Sequence, residues 1–217
     1  MVTLIGLFLP LIFLPLLLWA RMQEWPRFEL LFKALASTGF VIVGLSAPDV
    51  PGRDLIIVGL LFGWLGDVCL AVKGERAFLV GLGAFLLGHI AYAAVGYQLP
   101  SNRGAILGGS IVALGLSLFA LRWLWRRLSP TLQIPVILYI AVVVAMVGAA
   151  AGQVGQPHAG YFIGGAILFA LSDLAVARQR FVAPGFANAL IGLPMYYTGQ
   201  LMIAVWIVLR GLGASVS

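Results

Sequence analysis

The chain has 217 residues, 62% hydrophobic and 9% charged, with a formal net charge of +6. A soluble domain carries roughly 25% charged residues and cannot hide this much apolar surface in one core, so a soluble fold is excluded. The apolar runs are too long and continuous for barrel strands, which leaves an all-α polytopic membrane protein.

Eight runs of roughly 17–24 residues, about the length of a spanning helix, cover 3–20, 29–47, 54–72, 77–98, 104–121, 132–151, 159–177 and 187–209. The first ends at Trp19-Ala20-Arg21 without a small-residue cleavage site, so it reads as a retained helix rather than a signal peptide. Between the runs lie turn-formers and charges: Pro26, Pro48 to Gly52, Lys73 to Arg76, Pro100 to Asn102, Ser129-Pro130, Gly152 to Pro157 and Pro184-Gly185. No linker is long enough to separate two soluble domains, so residues 1–217 form a single helical membrane domain. Cys69 is the sole cysteine and excludes an internal disulfide.

The loops after helices 1, 3, 5 and 7 hold ten basic residues, from Arg21 and Lys33 to Arg180, and the opposite side holds Arg53, Arg103 and Arg210. The positive-inside rule places both termini away from the cytoplasm. The short loops suggest a bacterial inner membrane. In this setting the positive balance meets anionic lipid, and no nucleic-acid partner is expected. The oligomeric state is not legible.

Asp67 and Asp173 stand alone inside apolar stretches with similar surroundings, Leu60 to Val68 and Ala166 to Leu174. A carboxylate in hydrocarbon is expensive, and a chain that keeps two of them uses them. Helices 3 and 7 run in the same direction, and each precedes a basic loop and a Gly-containing helix. Two four-helix repeats about an axis along the membrane normal would produce this, as would chance likeness of Leu/Ala/Gly-rich segments.

Counted inward at ~1.5 Å per residue, both aspartates lie roughly 8 Å below the basic interface, and Lys33 shares that layer. Tyr139 lies slightly deeper, and His89, Tyr196, Tyr197 and Gln200 at roughly 15–20 Å. These residues outline a polar slot. Each also has a plainer role: Lys33 as a snorkelling cation, His89 as a packing histidine, the tyrosines and Gln200 as interhelical hydrogen-bond formers. Tyr92 and Asn188 are weaker candidates.

Two buried carboxyls can divide labour. Desolvation or a like charge lets one hold a proton while the other stays ionised beside Lys33 or hydroxyl donors, the arrangement of a general acid and a general base flanking an ether-type bond. No H-E-x-x-H, Walker loop or G-x-S-x-G is present. Asp67, Asp173 and His89 match no ligand spacing, so neither a metal nor another cofactor is expected. Buried acids with His and Tyr also suit a proton-coupled transporter, and a non-catalytic scaffold is a third class.

Lys33-Ala34-Leu35, Gly66-Asp67, the run from Phe78 through Gly88-His89 to Tyr92, Phe169 to Asp173, and Pro194 to Gln200 together resemble the YhhN-type lysoplasmalogenase family, the alkenylglycerophospholipid hydrolases. The resemblance covers nearly the whole chain. It departs at Thr198-Gly199, where Leu-Ala is more usual. It implies hydrolysis of the vinyl ether bond of a lysophospholipid to a fatty aldehyde and glycerophospho-ethanolamine or -choline. Asp67 and Asp173 would be catalytic, and Lys33, His89, Tyr139, Tyr196, Tyr197 and Gln200 would bind substrate or support them. Arg122, Arg126, Arg178 and Arg180 are candidates to meet the phosphate, although topogenic charge explains each of them more simply.

Overall fold

In hydrocarbon every backbone N–H and C=O must be paired within the protein, and an apolar segment of about 20 residues does this by becoming a helix. The structure, a computed structural model, describes residues 1–214. Its helices are α1 (Val2–Met22), α2 (Pro26–Leu45), α3 (Arg53–Ala71), α4 (Glu75–Gln98), α5 (Arg103–Trp125), α6 (Pro130–Ala151), α7 (Ala159–Ala177) and α8 (Phe186–Ala214). All eight are long and apolar enough to cross a membrane, so the chain is an integral membrane helix bundle.

Local chemistry sets the boundaries. Pro26 and Pro130 occupy first-turn positions of α2 and α6, where a missing N–H costs nothing. The Asn102 side chain accepts from the Ala105 N–H at 3.0 Å and caps α5. After α7 the chain widens into one π-helical turn, Arg178–Val182, before α8 begins. Helix 8 is longer than the apolar run at 187–209, because Arg210 covers its charge by lying over the Trp206 ring.

Helix packing follows the same order in both halves. The chain neighbours pair α1 on α2, α3 on α4, α5 on α6 and α7 on α8. α2 then meets α3 as α6 meets α7, and α4 packs on α6 as α8 packs on α2. Exchanging α1–α4 with α5–α8 reproduces these contacts, which is the order expected of two related halves. Asp67 and Asp173 are each the fifteenth residue of a 19-residue helix.

Small residues bring the backbones together. A side chain at Gly199 would stand 2.9 Å from the Gly165 carbonyl oxygen, so α8 reaches α7 only because Gly199 has none. The Thr198-Gly199 departure noted in the sequence is therefore a contact point of the bundle.

Candidate active site

Asp67 is almost fully buried, and its polar neighbours come from two helices. Lys33 Nζ of α2 lies 3.2 Å from its Oδ1, and the Ser37 hydroxyl, one turn further along α2, donates to Oδ2. The Tyr196 and Tyr197 hydroxyls of α8 are its remaining neighbours. Tyr196 also donates to the Gly63 carbonyl at 3.1 Å, and Tyr197 to the Lys33 carbonyl at 3.3 Å. Lys33 is 5% exposed and does not snorkel; it belongs inside the bundle and not among the loop charges. A charge pair out of water is tolerable when further hydrogen bonds complete it, as Ser37 does here.

Asp173 stands in different company. His89 Nε2 of α4 faces its Oδ2 at 3.3 Å, and Tyr139 of α6 is its other polar neighbour. His89 Nδ1 lies 2.7 Å from the Phe85 carbonyl, which can only accept, so Nδ1 carries a hydrogen. A neutral His89 then presents a lone pair at Nε2. The Nε2–Oδ2 contact becomes a hydrogen bond only when one proton lies between the two atoms. Neither atom has another hydrogen-bond partner. The His89 ring stacks on Phe169 with centroids 4.0 Å apart, and Tyr139 meets it edge-on at 5.4 Å.

Phe85, Phe169 and Tyr196 line the same cavity as the two carboxyl groups and form an edge-to-face cluster with centroids 5.4 to 6.0 Å apart. Gln200 lies behind it, accepting from the Tyr92 hydroxyl at 2.6 Å and pressing against Gly63, so it supports the tyrosines and touches neither aspartate.

Depth counted along the helices separates His89 and Tyr196 from the aspartates, yet the structure brings them together. In a helix the Cα–Cβ bond leans toward the N-terminus. α4 and α8 start at the basic end, so His89 and Tyr196 lean back up toward it. α3 and α7 end there, so Asp67 and Asp173 lean down. The two sets converge on one layer.

Both aspartates line a single cavity of about 400 Å³ that also reaches Lys33, Arg21 and Arg180. Its rim is the π-helical turn and the start of α8. There the Asn188 amide donates to Gln179 at 2.7 Å and its oxygen receives the Arg178 guanidinium. Of the four arginines considered for phosphate, only Arg180 reaches this chamber: Arg178 is held by Asn188, and Arg122 and Arg126 face a separate recess on α5. Arg21 lines the chamber without having stood out in sequence. Ser37 was also missed; its one signal is the four-residue spacing from Lys33, which puts both on one helical face. Asp173, Phe85, Phe78, Leu70 and Val176 are shared with a second cavity, about 430 Å³ and apolar, between α5, α6 and α7. Among the described residues no three His, Cys, Asp or Glu side chains meet as a metal site would require.

The YhhN family profile matches residues 28–207. A Mycobacterium bovis protein named lysoplasmalogenase is 29% identical over 178 residues, 77% of this chain and 64% of its own length. The human lysoplasmalogenase TMEM86B is 30% identical over 192 residues, 87% of this chain and 79% of its own. The bovine lysoplasmalogenase TMEM86A is 30% identical over 165 residues, 71% and 65% respectively. The chain thus spans just under two thirds of the mycobacterial relative. No solved structure matches it.

Proposed function

Because this chain belongs to the YhhN family, we propose that it hydrolyses the vinyl ether bond of a lysophospholipid, releasing a fatty aldehyde and a glycerophospho-ethanolamine or -choline. Relatives named lysoplasmalogenase support the substrate class. The observation that carries the reading is the chamber that joins Asp67 to Asp173, with basic residues at its rim and an apolar cavity leading away from it. In this reading the basic end faces the cytoplasm of a bacterial inner membrane and both termini face away.

A vinyl ether resists direct attack by base and reacts by protonation at its β-carbon. Asp173, sharing one proton with His89, is the donor, and the carbon–carbon double bond takes that proton and becomes an oxocarbenium ion. Asp67, already opposite Lys33, carries the negative charge that stabilises the cation and accepts a proton from the water that adds to it. The hemiacetal then collapses, the proton of its hydroxyl passing to the glycerol oxygen as the C–O bond breaks. Asp173 has then lost one proton and Asp67 has gained one, and passage of that proton from Asp67 back to the His89–Asp173 pair through water in the shared chamber resets the site without a cofactor.

The test is aldehyde release by the purified protein in detergent from a 1-alkenyl lysophosphatidylethanolamine in D2O. One deuterium on the carbon beside the carbonyl is expected. Aldehyde without that deuterium contradicts the mechanism. No aldehyde from any alkenyl lysolipid, with solute flux driven by a pH gradient in liposomes, would replace it with a transporter.

A further inference from the structure

The two halves differ at one helix. In the first half α1 lies against both α2 and α8, Leu17 and Ala20 have no exposed surface, and a side chain at Gly39 would stand 2.6 Å from the Gly6 carbonyl oxygen. Its counterpart α5 packs chiefly on α6 and buries two of its 23 residues, Ala113 and Leu124, where α1 buries four of its 21. Beside α5 the bundle leaves a space open. It is the apolar cavity of about 430 Å³, with Asp173 the only charged residue on its wall. Leu116 of α5 and Leu171 of α7 border it and are 64% and 38% exposed, so its mouth opens sideways onto the lipid-facing surface.

We propose that this groove holds one hydrocarbon chain of the substrate, loaded from the bilayer between α5 and α7. The headgroup would then lie in the chamber beyond Asp173, where Arg180 complements a phosphate. The identity of that headgroup and of the bond at Asp173 rests on the hydrolase reading; the groove does not. From Asp173 the wall runs ten residues along α7 to Ile163, roughly 15 Å, or about a dozen carbons of extended chain at ~1.3 Å each. Gly108 lines the far end, where a side chain would meet no atom within 4 Å. The selectivity follows from the asymmetry. The cavity beside Asp173 offers an apolar wall for one chain, so the site takes single-chain lipids.

The probe is a series of 1-O-alkyl lysophosphocholines with 8 or 18 carbons, whose saturated ether cannot undergo the vinyl chemistry, bound to purified protein and measured by native mass spectrometry. Wild type binds the 18-carbon lipid at least tenfold more tightly than the 8-carbon one, and a diacyl phosphatidylcholine does not compete. Gly108→Phe, whose Cβ would meet no atom within 4 Å, lowers the 18-to-8 affinity ratio at least threefold. Ser117→Phe, on the wall nearer Asp173, lowers 18-carbon binding at least tenfold. Unchanged ratios in the folded variants, or competition by the diacyl lipid, overturn the groove. Chain-dependent binding without aldehyde release by wild type would remove the hydrolase reading and leave the groove. Aldehyde release with unchanged chain selectivity in the variants would do the reverse.

Discussion

Lys33 and Asp67 face each other 3.2 Å apart with side chains 6% and 2% exposed, so neither charge has water to fall back on if the other is removed. Breaking one partner of such a pair costs about 3–5 kcal/mol, whereas replacing both costs far less. Lys33→Met should therefore lower the unfolding temperature in detergent sharply, and Lys33→Met with Asp67→Asn should recover most of the loss. Equal destabilisation by the single and double variants would mean that the pair is not coupled. At Asp173 the expectation concerns turnover. His89→Gln keeps a polar group facing the carboxyl but cannot hold the shared proton, and kcat should fall by about 10²–10³ while KM stays near wild type. A rise in KM alone would make His89 a packing residue. Lys33 and both aspartates were legible in the sequence because a charge in hydrocarbon stands out. Ser37 was not, since a serine in a helix can bond its own turn, as Ser37 also does with the Lys33 carbonyl at 2.9 Å.

Among the elements, the contact of α7 with α8 carries the most consequence for the site. It brings Tyr196 and Tyr197 to Asp67 from one helix, and holds Phe169, beneath His89, on the other. A methyl at Gly199 would lie 2.9 Å from the Gly165 oxygen and 3.1 Å from the Phe169 nitrogen, both backbone atoms that cannot step aside. Gly199→Ala should destabilise the bundle by about 1–3 kcal/mol, measured by thermal unfolding, and shift Phe169 enough to reduce activity. A wild-type unfolding temperature would show that the helices can slide apart freely. The helices themselves could be read from length and hydropathy, with ends misplaced by a few residues. What could not be read was which polar side chains meet. Counting rise along an axis ignores the lean of the side chains, and that lean closes the gap between His89 and Asp173. Phe85 and Phe169 look like any other apolar helix residues until the packing puts them on the wall of the chamber that both carboxyl groups line.

Across the whole molecule, two halves with the same packing order hold aspartates at the same register, but the halves are not used alike. The first buries its carboxylate with a lysine, while the second leaves its carboxylate, 19% exposed, against an open groove. The repeat was hinted at by the surroundings of Asp67 and Asp173, whereas the stand-off of α5 had no sequence signal because its apolar face reads the same beside lipid or beside a cavity. The orientation proposed from the loop charges puts the basic end in the cytoplasm. In a Cys69→Ser background, a cysteine at Ser101 should react with a membrane-impermeant maleimide added to intact cells, and one at Glu75 should not; the opposite labelling would invert the topology. The central claim is that both aspartates act on one vinyl ether bond, and the most direct measurement is aldehyde release by purified Asp67→Asn and Asp173→Asn beside wild type. Asp173→Asn should remain folded, Asp67→Asn should be less stable because it strands Lys33 and is assayed on its folded fraction, and each should lose at least about 10³-fold in kcat per folded protein; full activity in either one would contradict a two-carboxylate site.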